Sequence, residues 1–251
     1  MSLLSASATV WRSGDAHVNF YLVAEGSDLT LVDAGLPGHV NQLTAALRGL
    51  GRSIGDIRAV LVTHGHPDHF GLAERLRQVA AAEVWVHALD APILAAPRQT
   101  GRWWRPERSL LRYLRFGPAA LRGPLHLLRQ GGLGIRAVRH ARAFQHDQTL
   151  DMPGRPRAIH VPGHTAGSAA FLFEQQGLLF TGDALVTADT IVSRVGPRLL
   201  CRALTQDSGE AVRSLGRLAE EQAELVLPGH GEPWAGGAAE AARLAQLAGT
   251  I

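Results

Sequence analysis

The segment "LVTHGHPDHFG", residues 61–71, places three histidines and an aspartate within six positions directly behind an apolar run. Imidazole and carboxylate groups are common metal ligands, and alternate residues of an extended segment point to the same side of it. His64 and His66 can therefore hold one ion, while Asp68 and His69 turn toward a second ion. The pattern predicts a metal site with two adjacent positions.

Two adjacent metal positions require more ligands, because four side chains cannot complete two tetrahedral sites. Suitable residues follow other predicted strands: His164 in "VPGHTAGS", Asp183 in "LLFTGDAL" and His230 in "LVLPGHG". Glycines beside each of them allow the backbone to approach a metal closely, where a Cβ atom would crowd it. We expect these residues to converge from separate strand ends.

Five motifs in order, "VDAG", "THGHPDH", "PGHTAGS", "FTGD" and "LPGHG", resemble those of the metallo-β-lactamase superfamily of hydrolases. The resemblance covers about residues 15–95 and 145–235. It implies an α/β fold of the four-layered αββα sandwich type.

The resemblance also implies a role for each residue of the motifs. It assigns the first metal to His64, His66 and His164, the second metal to Asp68, His69 and His230, and the bridging position to Asp183. Asp33, in "VDAG", would orient the loop that carries the ligands, although a purely structural role in a turn is an alternative.

The implied chemistry is hydrolysis. Two cations about 3.5–4 Å apart lower the pKa of a shared water from 15.7 to about 7, which yields a bridging hydroxide as the nucleophile. Asp68 can shuttle a proton while it remains a ligand, and Asp183 would hold both ions in the catalytic position. We expect two Zn²⁺, with Fe or Mn as alternatives, and an ester, thioester or lactone as the substrate.

Strands and helices at regular intervals must position these residues. Alternating apolar residues in "VNFYLVAEG" and "LTLVDAG" predict an antiparallel hairpin with "EGSD" as its turn. The pattern then predicts a helix in "HVNQLTAALRGLG", a strand in "IRAVLVTH", a helix in "LAERLRQVAA" and a strand in "EVWVHA".

The second half of the chain repeats the order strand, helix, strand. "GLLFTGDAL" and "AELVLPGHG" are predicted strands, and "DSGEAVRSLGRLAEE" between them is a helix with Asp207 and Glu210 at capping-box spacing. Two similar halves would deliver Asp33, His64, Asp183 and His230 to a common cleft. An accidental similarity between two α/β units is the alternative.

The length of 251 residues and the apolar fraction of 46% allow one large domain or two small ones, and the resemblance implies a single domain over residues 1–251. Cys201 is the one cysteine, so an intrachain disulfide is excluded, and the N-terminal residues lack the pattern of a secretion signal. We expect a cytoplasmic protein without a membrane span, since no apolar run reaches about 18 residues. All 25 basic residues are Arg, which excludes lysine-based catalysis.

Residues 98–142 carry eleven Arg and one Glu, whereas acidic residues exceed basic ones in the rest of the chain. We name this segment the insertion. It is predicted to contain a short amphipathic helix between Pro106 and Gly117, with the stripes Arg108, Arg112, Arg115 and Leu110, Leu111, Leu114. Its aromatic residues are Trp103, Trp104, Tyr113 and Phe116.

Three functions remain open for the insertion. It is a solvated face or a subunit contact in a homodimer, a lid over an acyl or acidic small-molecule substrate, or a contact with nucleic acid or a membrane surface. We do not expect nucleic acid as a partner.

Within the superfamily, several activities stay open. Only about twenty residues follow His230, too few for the C-terminal helical domain of glyoxalase II-like thioesterases. The tyrosine that follows the bridging aspartate in quorum-quenching lactonases is absent, with Val186 nearby and Tyr21 and Tyr113 the only tyrosines. An iron-dependent oxidoreductase resembling persulfide dioxygenases, a phosphodiesterase or nuclease, and a non-catalytic binding module are the alternatives.

The remaining histidines are predicted to have other roles. His87 and His160 are expected to support the site or the core. Surface or packing positions are expected for His17, His39, His126, His140 and His146.

Overall fold

A computed structural model describes residues 2–5 and 10–250, with side chains from 10–117 and 120–250. The predicted domain of residues 1–251 thus includes positions 1, 6–9 and 251, which lie outside the described residues. No helix in the described part is long and apolar enough to cross a membrane. The predicted cytoplasmic location is a separate expectation and stays a prediction.

The first sheet contains seven strands in chain order, β1 to β7. Their bounds are Ser2–Ser5, Val10–Gly14, Asn19–Glu25, Asp28–Val32, Ile57–Val62, Glu83–His87 and Arg142–Phe144. Strands β1 to β4 pair antiparallel, and β4 to β7 pair parallel. The predicted hairpin is β3–β4, which closes where Glu25 pairs with Asp28.

The second sheet contains five strands, in the spatial order β14, β11, β10, β9, β8. The bounds of β8 to β11 are Gln148–Thr149, Arg157–His160, Ala169–Phe173 and Leu178–Gly182, and β14 is Leu225–Pro228. Strands β12 (Val186–Asp189) and β13 (Arg194–Arg198) form a separate hairpin. Strands β11 and β14 are parallel, and the other pairs of the sheet are antiparallel.

The described residues also form seven α-helices, α1 to α7. Their bounds are Val40–Gly49, Pro67–Phe70, Ala73–Ala80, Ala91–Ala95, Arg122–Arg129, Ser208–Ala219 and Ala238–Ala248. Leu47 of α1 and Leu76 of α3 share one buried cluster with the first sheet, and Leu215 of α6 shares another with the second sheet. Helices therefore cover the outer faces of both sheets.

A third buried cluster lies between the two sheets. Tyr21 and Leu61 of the first sheet meet Phe171 and Phe180 of the second, and the rings of Tyr21 and Phe180 are 5.3 Å apart. Since successive strand residues point to opposite faces, each sheet supplies one face to this core and the other to a helical layer. This confirms the predicted αββα sandwich.

The two predicted halves have the same local topology. Strand β4, helix α1 and parallel strand β5 form the first unit, and β11, α6 and parallel β14 form the second. The carboxylate of Asp207 accepts a hydrogen bond from the Glu210 N–H at 2.8 Å, so the N-terminus of α6 begins where the sequence predicts.

The insertion is helical, as expected, but its predicted leucine stripe is wrong. Residues Leu110–Phe116 form a 3₁₀ helix in which Tyr113 is buried and Leu111 is 75% exposed. Three residues per turn place Leu110 and Tyr113 on one face, where they pack against Ile191 and neighbouring apolar residues. The prediction assumed an α-helical period.

The core between the sheets generates a stability prediction. Replacing Phe171, fully buried there, by Ala should lower the free energy of unfolding by about 3–5 kcal/mol, because a large cavity remains. Urea denaturation measures the change. Phe116→Ala, at a ring 39% exposed, is the matched control and should cost less than about 1 kcal/mol. Equal losses in both variants would contradict the assignment of Phe171 to the core.

Candidate metal centre

The candidate ligands lie at one edge of the sandwich, where strands of both sheets end. His64 follows β5, Asp183 follows β11, and His230 follows β14. His164 lies in the loop that enters β10, which runs antiparallel to β11 and therefore begins at the same edge. The Ala169 N–H donates to Thr63 O at 2.8 Å, which links the two sheets directly at this edge.

Three imidazoles and one carboxylate form the first group. His164 Nε2 is 2.8 Å from His66 Nδ1 and 3.1 Å from His64 Nε2. Asp183 Oδ2 is 3.4 Å from His164 Nε2 and 3.8 Å from His64 Nε2. One ligand atom from each of these residues lies within 4.8 Å of the others, which is close enough to surround one cation.

Asp68, His69 and His230 form the second group, with the same 4.8 Å limit between ligand atoms. Asp68 Oδ2 is 3.7 Å from the Nε2 atoms of both His69 and His230. Asp183 also reaches this group, because His69 Nε2 is 3.5 Å from its Oδ1 and His230 Nε2 is 3.0 Å from its Oδ2. The Asp183 carboxylate thus lies between the two groups.

The structure therefore brings all seven predicted ligands together, divided into the same two groups. The backbone approaches closely, as the neighbouring glycines suggested. A Cβ atom on Gly229 would lie 2.4 Å from Asp183 Oδ1, so only glycine fits beside this carboxylate.

Hydrogen bonds at Nδ1 fix the orientation of three of the imidazoles. His64 Nδ1 is 3.1 Å from Thr63 Oγ1, and His69 Nδ1 is 2.8 Å from Asp33 Oδ2. His230 Nδ1 forms a hydrogen bond with the backbone oxygen of His17. Thr63 donates its hydroxyl proton to Asp33, so His64 donates to Thr63. Each Nδ1 carries a proton, so the Nε2 lone pair of the neutral ring is directed at the centre, where a metal can replace a second proton.

Asp33 lies in a turn and contacts one of the predicted ligands. Its backbone has φ +57°, a left-handed conformation that is unfavourable for a residue with a Cβ atom. Its carboxylate accepts from the Thr63 N–H at 2.9 Å and binds His69 at 2.8 Å. The turn therefore aims the carboxylate that orients His69.

Buried polar atoms at the centre lack hydrogen-bond partners, which a bound cation would explain. Among the described residues, these atoms include His69 Nε2 and Asp183 Oδ1, and both face the space between the ligands. Leaving such atoms unpaired in the interior is costly unless another group binds them. The donor set of imidazoles and carboxylates suits a divalent transition metal.

The electrostatics differ between the two groups. Burial lowers the pKa of His64 and His164 well below the usual value and lowers that of His66 to about 4. For His69, burial also acts to lower the pKa, but the carboxylates of Asp183, Asp33 and Asp68 outweigh it and raise the pKa to about 10. Positive charge is thus favoured on the side of Asp183 that faces the second group, where the pKa of His230 is also raised, to about 9, because Asp183 outweighs the effect of burial.

Asp90, which follows β6, was not predicted. It is buried, and its carboxylate accepts hydrogen bonds from the Gly65 N–H at 2.7 Å, the Thr165 hydroxyl at 2.7 Å and the Gly167 N–H at 2.8 Å. It therefore joins the loop of His64 and His66 to the loop of His164. Its position after the strand "EVWVH" was the available signal, because strands β4 and β5 of the same sheet also end at site residues.

A cavity of about 380 Å³ opens onto the candidate metal centre, a size typical of small-molecule sites. Most of its wall is apolar, and the insertion supplies part of it through Trp104, Leu110 and Leu127. Trp104 Nε1 donates to His164 O at 2.8 Å, and its ring lies 4.5 Å from that of His66. The insertion thus contacts the site itself.

Arginine could bind an acidic substrate, and tyrosine could take part in the hydrolysis of a lactone. Among the described residues, neither an arginine nor a tyrosine lines it. Tyr113 is buried beside Ile191 and Cys201, and the Tyr21 hydroxyl donates to Pro228 O at 2.7 Å. An acidic substrate would therefore find no guanidinium group on the cavity wall.

A third cluster consists of Asp15, His39 and His126. The Leu36 N–H donates to His39 Nδ1, so the proton lies on Nε2, which faces Asp15 Oδ2 at 3.1 Å. His39 then has no lone pair left for a metal. His126 Nε2 is also 3.1 Å from Asp15 Oδ2, so the cluster ties helix α5 to the loop that begins at Asp15.

The other histidines partly follow expectation. His87 and His160 stack at 4.0 Å outside the two groups, in agreement with a supporting role. His17 and His126, expected at the surface or in packing positions, line the cavity.

Asp90 generates a prediction about the ligand loops. Asp90→Ala leaves three buried donors unpaired and should lower the free energy of unfolding by about 3 kcal/mol. Metal bound at the first group should also decrease. Urea denaturation and elemental analysis measure the two effects, with Asp151→Ala, at an exposed aspartate, as the control. Unchanged stability would mean that the loops do not depend on Asp90.

The chain is similar in sequence to several known bacterial proteins. The uncharacterised protein YobT of Bacillus subtilis is 29% identical over 219 residues, which are 86% of this chain and 83% of that protein. The probable metallo-hydrolase YflN of the same organism is 25% identical over 222 residues, 86% of this chain and 80% of that protein.

Solved structures and a family profile extend the similarity to the whole fold. A metallo-beta-lactamase family protein from Thermus thermophilus superposes with a TM-score of 0.71 and 25% identity, covering 98% of this chain and 80% of that one. The profile of the metallo-beta-lactamase superfamily matches residues 13–230. The resemblance seen in the five motifs is confirmed, and the chain belongs to the metallo-β-lactamase superfamily.

Proposed function

We propose that the chain is a binuclear metal-dependent hydrolase that cleaves an ester, thioester or lactone with an aliphatic acyl part. One observation carries the proposal: two groups of convergent ligand atoms lie at the end of a mostly apolar cavity. A non-catalytic module would not need an open cavity next to such ligands.

Each ligand group would hold one cation, and Zn²⁺ suits both donor sets. The first cation would bind His64, His66 and His164, the second would bind Asp68, His69 and His230, and Asp183 would bind both. When bound, two cations lower the pKa of a water and polarise a carbonyl oxygen of the substrate.

The side chains beside the cations have separate tasks. Asp68 is partly exposed and lines the cavity, so its carboxylate can accept a proton from water and deliver it to the leaving group. Asp183 is buried and keeps its negative charge between the two groups. Trp104 covers His66 and shields that side of the site from water.

The cavity wall favours a neutral aliphatic chain over an acidic substrate. Leu127 and Ile191 line it together with Leu200, and no guanidinium group of the described residues does. Each methylene group buried there contributes about 0.8 kcal/mol to binding. The same lack of cationic side chains disfavours a phosphodiester substrate.

An iron-dependent oxidoreductase is the second candidate. The protein TTHA1623, solved in a di-iron-bound form, superposes with a TM-score of 0.60 at 23% identity, covering 88% of this chain and 91% of that one. The His and Asp ligands of this chain suit iron as well as zinc. Metal analysis of the purified protein distinguishes the two candidates.

The metal prediction concerns Asp183. The purified protein should contain two zinc ions per chain, and Asp183→Ala should lose metal and more than about 100-fold in kcat/KM for an aryl acetate ester. Elemental analysis and ester hydrolysis measure these effects, with Asp151→Ala, at an exposed aspartate, as the control. A variant that keeps both metals and the normal rate would refute the role of Asp183, and one tightly bound iron would favour the oxidoreductase.

The acyl prediction concerns Leu127. Leu127→Trp fills part of the cavity, so the ratio of kcat/KM for an octanoyl ester to that for an acetyl ester should fall about tenfold or more. Steady-state kinetics on a series of aryl esters measures the ratio. Val79→Trp, at an exposed position of α3, should leave it unchanged. An unaltered ratio for Leu127→Trp would exclude this wall from substrate binding.

A further inference from the structure

The insertion exposes an unusual amount of apolar surface. Among the described residues, eleven large apolar side chains are exposed, and seven of these lie between residues 111 and 133. Leu111 and Leu133 are each 75% exposed. The short helices that carry them are Leu110–Phe116, Pro118–Leu121, α5 and Gly132–Gly134, and each contacts the next along the chain. We call the outward side of this stretch the apolar surface. Large contiguous apolar surfaces mark interaction sites.

The same surface is strongly cationic. All eleven arginines of residues 98–142 are exposed. In the described part of the chain, the ion pairs of the insertion are those of Arg142 with Glu83 and Glu107 with Arg202. Arg112, Arg122 and Arg129 therefore project into solvent without a carboxylate partner. A partner for this surface must be both apolar and anionic.

Helix α5 has two different faces. Leu125 and Leu128 of this helix and Leu121, directly before it, follow helical spacing and are all exposed, with Arg122 and Arg129 beside them. Gly123 and Leu127, on another face, line the cavity. The helix is therefore a wall between the cavity and an apolar outer surface bordered by arginines.

We propose that this surface docks on an anionic lipid bilayer, with the leucines of α5 in the interfacial layer and the arginines at the headgroups. Amphipathic helices that lie in the membrane interface combine exposed apolar side chains with basic residues in this way. The docking would be peripheral.

A second copy of the chain is a less suitable partner. A two-fold symmetric contact would place the same surface on both subunits, so unpaired arginines would face arginines. An anionic bilayer instead offers negatively charged headgroups to the arginines and an apolar layer beneath them to the leucines. Docking would also bring the cavity close to acyl chains in the bilayer. That consequence rests on the proposed function, whereas docking itself does not.

Vesicle flotation of the full chain tests the docking. The protein should bind vesicles of phosphatidylcholine and phosphatidylglycerol and lose most binding to phosphatidylcholine alone. The triple variant Leu121→Ser, Leu125→Ser, Leu128→Ser and the triple variant Arg112→Gln, Arg122→Gln, Arg129→Gln should each weaken binding about tenfold or more. Higher salt should weaken binding of the unmodified protein.

Matched controls lie elsewhere on the surface. Val79→Ser with Leu247→Ser removes two exposed apolar side chains, and Arg48→Gln with Arg75→Gln removes two exposed charges. Both should bind vesicles as the unmodified protein does. Equal binding by all variants, or no binding to anionic vesicles, would overturn the proposal.

Two more measurements separate the explanations. If sedimentation shows a dimer that the leucine variant converts to monomer, without vesicle binding, the surface is a subunit contact and the proposal fails. Aryl acetate hydrolysis should persist in the leucine variant, since its three leucines are outside the cavity lining. If neither the unmodified protein nor any variant hydrolyses the ester, the proposed hydrolase function is refuted. The vesicle result would still test the docking.

Discussion

The site depends on one constraint: imidazoles buried at the edge of two sheets must present lone pairs, not protons, to the space between them. His64, His69 and His230 meet this constraint because the Nδ1–H group of each donates a hydrogen bond. The acceptors are Thr63, Asp33 and the backbone oxygen of His17. The acceptors must be rigid, because a rotated ring would aim its nitrogen away from the centre. Much of the surrounding structure supplies that rigidity.

The sandwich architecture provides the rigidity by joining its sheets at the edge that carries the ligands. The Asn19 N–H donates to Gly229 O at 2.8 Å, and the Gly229 N–H donates to Gly182 O at 2.9 Å. Asp90 adds a buried link between two ligand loops. Interactions of this kind stabilise the fold and position the ligands at the same time, so a variant at this edge affects both.

The insertion connects the site to the surface. Trp104 contacts His66 and His164, while His126 pairs with Asp15, two residues before the backbone oxygen that orients His230. The insertion therefore contacts or lies near both ligand groups and supplies apolar cavity wall. Its arginines project outward. One side of the insertion is therefore positively charged, and another side lines the cavity.

The sequence by itself determined the candidate ligand residues and the strands that carry them. Apolar runs followed by His, Asp and Gly are local patterns, and parallel strands deliver the residues behind them to one edge. Tertiary structure decided what depends on contacts between distant residues: the bridge of Asp90 between loops, the contact of the Trp104 ring with His66, and the contact of His126 with Asp15. Only tertiary structure decided the outward direction of the arginines, because the spacing of residues along a helix of the insertion does not show which of its faces meets the cavity.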